Sequence, residues 1–174
     1  MKYEEISKLD AAKRQLIVAI RMLFERRDPI SVHTLAAASQ GILIDLARIK
    51  GIKSLLVDAE MIRPEKRIEV NSKVREAQNY FKHADRDAES QFKYYPEITP
   101  LYLFDACRLY EQITDDRFPE AIGFCTWFYM KYPQLLIEGE IKNKLNELME
   151  GIDINDYELV LYSIDHINQQ SDTE

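Results

Sequence analysis

Apolar residues recur along this chain at spacings of three and four and rarely alternate, so the pattern predicts helices and no sheet. With Ser7 or Asp10 as the cap, Leu9, Leu16, Ile20, Leu23 and Phe24 line one side of a first helix that ends near Arg27. Asp28-Pro29 then supplies a cap and a proline at the first helical position. Val32, Leu35, Ser39, Ile42, Leu43 and Leu46 follow as one stripe until Gly51 stops the helix. The run 52–62 fits neither helix nor loop cleanly. Pro64 opens a third helix with Val70, Val74, Ala77 and Phe81 on one side, reaching about His83.

A polar connection over 84–98 holds Tyr94-Tyr95-Pro96, whose rings are expected to pin it to the helices. Thr99-Pro100 repeats the cap-and-proline signature and starts a fourth helix through Leu101, Phe104, Cys107, Leu109, Tyr110 and Ile113. Phe118-Pro119-Glu120 starts a fifth, in which Ile122, Phe124, Cys125, Trp127 and Phe128 concentrate bulk before Pro133. Two more helices are expected over 134–150 and 155–169, and the polar tail 170–174 is expected to be disordered. Short connections favour antiparallel neighbours. The expected fold is therefore all-α: an up-and-down bundle of about four core helices, with two or three C-terminal helices packed alongside, in one domain over 1–169.

Composition narrows the function classes. The 174 residues are 46% hydrophobic and 30% charged, enough apolar area for a core and enough charge for solubility. A formal charge of -7 argues against a broad DNA-binding surface. The N-terminus lacks a signal-peptide pattern, and no stretch reads as the roughly 20 apolar residues of a membrane span, so a cytoplasmic location without membrane association is expected. Cys107 and Cys125 lie far from any C-x-x-C spacing and read as reduced core thiols. No Gly-rich phosphate loop and no Gly-x-Ser-x-Gly elbow occurs, and no cofactor is expected.

Ionisable chemistry gathers over 75–87. At about 100 degrees per residue, Arg75, Asn79, Lys82 and Arg86 form a stripe facing away from the apolar side, with His83 at its edge one turn beyond Asn79. In an antiparallel bundle the start of the second helix shares a pole with the end of the third, which carries His33 toward His83. Glu25, Arg26 and Asp105 are expected near the same pole. For phosphodiester chemistry, His83 is the general acid/base and Asn79 its orienting partner, while Arg75, Lys82 or Arg86 would stabilise phosphate charge. His33, Asp85 and Asp87 support the site.

The order Asn79, three residues, His83 resembles the short signature of HEPN domains, helical bundles whose motif is an arginine, often followed by asparagine, and then a histidine a few positions later. The arginine position is Gln78 here, with Arg75 one turn earlier as a substitute. The resemblance implies a metal-independent ribonuclease, or a toxin-related protein, working as a homodimer on RNA. A second likeness spans more of the chain: Asp28-Pro-Ile-Ser-Val-His33-Thr-Leu-Ala and Asn79-Tyr-Phe-Lys-His83-Ala-Asp-Arg-Asp87 are similar to stretches of bacterial cytoplasmic proteins of uncharacterised role. Two other readings stand beside the nuclease. One is a regulatory module that binds a partner protein, with Gln78 marking a degenerate site. The other is a metal-binding bundle drawing on His33, His83, Asp85 and Asp87, although their spacing matches no ligand motif and no metal ligand is assigned.

Overall fold

The computed structural model describes residues 2–58, 64–85, 88–135, 143–144, 147 and 151–171, leaving the side chains of 64–71, 73 and 171 undescribed. Within these residues the protein is all-α, with no strand. Six helices are α1 (Lys8–Phe24), α2 (Pro29–Ile49), α3 (Pro64–Lys82), α4 (Thr99–Thr114), α5 (Pro119–Lys131) and α6 (Tyr157–Ser171). Short 3-10 turns precede α4 (Pro96–Ile98) and follow α5 (Pro133–Leu135). The helix expected over 134–150 lies largely outside the described residues; 143, 144 and 147 are helical. Of the expected tail, Gln170 and Ser171 belong to α6, and 172–174 lie outside the described residues.

Local chemistry sets the first two helices. Ser7 Oγ accepts from the Asp10 amide at 3.0 Å while the Asp10 carboxylate accepts from the Ser7 amide at 3.4 Å, a reciprocal capping box. Asp28 caps α2 through the Ser31 amide at 2.9 Å, with Pro29 in its first turn. Gly51, at φ +71°, follows the end of α2 in a conformation that favours glycine.

Specific contacts fix how the helices run. The Ser39 hydroxyl donates to Ala12 O, tying α2 antiparallel to α1. Contacts of α4 with α2 advance together along both helices, His33 with Thr99 and then Gln40 with Asp105, so these two are parallel. Gln78 and Phe81 of α3 meet Ala37 and His33 of α2 in the opposite sense. The core between them contains Leu16, Ile20, Leu43, Tyr102, Leu103, Leu109, Phe124, Phe128 and Ile164, all fully buried or within 1% of it. Phe24 extends it into an aromatic cluster with Phe124, Trp127 and Tyr157.

One helix departs from the sequence expectation. By length and composition, α2 is apolar enough to span a membrane. Half of that stretch is buried inside the protein, against α1 and α4.

Candidate functional site

The pole predicted from the histidines is assembled around α2, α3 and the start of α4, and it treats the two imidazoles oppositely. His33 is fully buried. Three aromatic rings enclose it: Tyr102 at 4.8 Å, Tyr94 at 5.4 Å and Phe81 at 6.0 Å between ring centroids, all edge-on. His83 is two residues beyond Phe81, so α3 does end at the His33 pole, yet His83 itself is exposed. The rings are carried to one end without being brought together.

A hydrogen-bond chain threads this cage. The Tyr94 hydroxyl donates to Pro29 O at 3.2 Å and lies 2.9 Å from Thr99 Oγ1, which lies 3.0 Å from His33 Nδ1. A phenol has one proton. With that proton given to Pro29 O, Thr99 donates to the Tyr94 oxygen and accepts from His33, which places the imidazole proton on Nδ1 and a bare lone pair on Nε2. Nε2 is buried with no hydrogen-bond partner, as is the neighbouring Tyr102 hydroxyl. Burial holds the His33 imidazole down to about 4, so it is neutral at ordinary pH. Burial likewise pushes the Tyr102 phenol up, opposed by the positive charge of Arg75. Thr99 was expected to cap α4. Its hydroxyl serves the cage instead, because the preceding 3-10 turn leads directly into the helix and leaves Ile98 at the cap position.

The polar stripe on α3 is exposed at Arg75, Asn79 and Lys82, with Glu76 at its edge, and His83 and Asp85 continue it past the helix end. Arg86 and Asp87 lie outside the described residues. On the inner side Ala77 is buried, and Val74 and Phe81 are half-buried. Gln78, at the position where the HEPN signature carries arginine, turns inward: its amide donates to Ala37 O of α2 at 3.3 Å. The connection after α3 folds back through Phe92, stacked on Tyr80 at 5.1 Å, and through Tyr94 beneath it. The pinning role expected for the tyrosines thus falls to Tyr94, while Tyr95 is 63% exposed.

Three residues expected near this pole have other partners. Asp105 is buried halfway along α2, accepting from Gln40 Nε2 at 2.7 Å, Ser54 Oγ at 2.6 Å and the Leu55 amide at 2.8 Å. It anchors segment 52–58, whose structure the sequence left ambiguous. Arg26, at φ 55°, lays its guanidinium over the Tyr157 ring at 5.1 Å, and Glu25 pairs with Arg27. Among the described residues no three His, Cys, Asp or Glu side chains converge as a metal site would require.

No family model, no curated protein and no solved structure matches the chain.

Proposed function

We propose that this protein is a non-catalytic association module that pairs with a second copy of itself through the outer face of α3. The observation that supports this reading is the division of α3 into two faces. Its inner face is committed to packing, with Gln78 bonded to α2 and Phe81 closing the His33 cage. Among the described residues its outer face presents Arg75, Glu76, Asn79 and Lys82, with His83 just past its end. A nuclease of the HEPN type would need an arginine working beside the histidine; Gln78 provides a neutral amide turned the other way, which leaves Arg75, about two helical turns before His83, as the arginine on that face. The imidazole with a buried environment, His33, is sealed from any polymeric substrate.

The outer face is self-complementary. Antiparallel pairing of two α3 helices about a twofold axis at Asn79 would bring Glu76 of one copy to Lys82 of the other, twice over. Each such contact is modest on a wet surface, and the repeated geometry sets register more than affinity.

Two measurements on the purified chain test the reading. Single-stranded RNA incubated with the protein is expected to stay intact, and sedimentation is expected to show a dimer that Lys82→Glu weakens. RNA cleavage that His83→Ala abolishes would instead establish the ribonuclease.

A further inference from the structure

Cys107 and Cys125 are 18 residues apart in sequence, but the α4–α5 hairpin sets them side by side. The register is visible on both sides of them. One turn toward the start of α4, Phe104 stacks on Phe128 at 4.2 Å with ring planes 10° apart; one turn toward the connection, Tyr110 meets Phe118 edge-on at 5.3 Å. Those two contacts leave Cys107 opposite Cys125, and the Cys125 thiol adds to burial in raising the Cys107 thiol. Both sulfurs border a groove of about 460 Å³ between the two helices. Cys107 is 3% exposed, while Cys125 is half-buried. Arg108 and Arg117 rim the groove beside Glu111, which Arg117 pairs with.

We propose that Cys125 and Cys107 form a peroxide-reactive dithiol, in which Cys125 is attacked first and Cys107 resolves it to an intramolecular disulfide joining α4 to α5. The geometry separates the two roles. A small neutral oxidant of the hydroperoxide class entering the groove meets the half-buried Cys125 before the buried Cys107. The Cys125 thiolate attacks the terminal peroxide oxygen, the O–O bond breaks, and a sulfenic acid forms with release of the alcohol, or of water from hydrogen peroxide. The Cys107 sulfur then attacks the Cys125 sulfur. The S–S bond forms as the S–O bond breaks, and the oxygen leaves as water carrying the Cys107 proton. In total, two thiols and one hydroperoxide give one disulfide, one alcohol and one water; the sulfurs lose two electrons and the peroxide gains them.

The test treats native full-length protein with hydrogen peroxide, then unfolds it in an alkylating agent and maps its peptides by mass. The expected result is loss of alkylation at both cysteines, a peptide pair joined through Cys107 and Cys125, and return of both thiols after dithiothreitol. Cys107→Ser protein is expected to stop at a Cys125 sulfenic acid that dimedone traps, and Cys125→Ser protein to keep Cys107 alkylatable. Wild-type protein in which Cys125 proceeds to sulfinic acid while Cys107 stays alkylatable overturns the proposal. So does protein in which neither thiol reacts, or in which the disulfide joins two chains.

Discussion

At the scale of the residue, His33 shows how burial decides what an imidazole does. Held at about 4 in the fold, against an ordinary value of 6.5, it refuses a proton that the unfolded chain accepts between those two pH values. Its contribution to stability is therefore complete above about 6.5 and is lost as the pH falls toward 4, at up to about 1.4 kcal/mol per pH unit. Chemical unfolding across this range should show wild type losing more stability than His33→Phe; parallel curves would reject the assignment. The Tyr94–Thr99 chain further predicts the Nδ1-protonated tautomer, which nitrogen chemical shifts of the labelled ring read directly. Asp105 makes the complementary case. Its carboxylate satisfies three donors, and Asp105→Asn replaces one acceptor oxygen with an amide that has nothing to donate to there. The cost should be about 2 to 3 kcal/mol in thermal or chemical unfolding, and a neutral result would mean that segment 52–58 is held by other contacts.

At the scale of the element, Gly123 sets how closely α5 and α6 approach. A Cβ there would lie 2.4 Å from Ile164 Cγ1, inside a fully buried side chain. Alanine is the better helix former by about 1 kcal/mol, but a clash with a stiff β-branched residue in the core costs typically 1–3 kcal/mol. Gly123→Ala should therefore destabilise the protein, and an increase in its melting temperature would show that the two helices separate readily. Helices were the most legible part of the sequence, because their signals are local: Ser7 with Asp10, and Asp28 with Pro29, mark their own helix starts. The candidate site was less legible because side-chain partners are not local. Nothing near His33 in the sequence announces that Tyr94, Thr99 and Tyr102 will enclose it, and the hydroxyl of Thr99 carried a sound capping signal that the 3-10 turn redirected. The cysteine pair left a usable trace, since Cys107 and Cys125 stand at nearly the same distance from the connection between their helices.

At the scale of the whole molecule, the proposed pairing separates a sealed interior from the outer face of α3. Acidic overall, with a formal charge of -7, the chain keeps Arg75, Lys82 and His83 together on the outside of α3, the helix whose inner side closes over His33. Two copies paired there would place their Asn79 side chains nearest the symmetry axis, so a single substitution doubles its effect. Asn79→Glu sets two like charges against each other across the axis, a juxtaposition that costs several kcal/mol in an interface, while the exposed helical position should leave the fold intact. Sedimentation equilibrium of the wild-type protein and of this variant decides whether α3 pairs two copies. A reversible dimer for the wild type and a monomer for Asn79→Glu at the same concentration is the predicted result; a wild-type monomer, or a dimer that the substitution leaves unchanged, would contradict it.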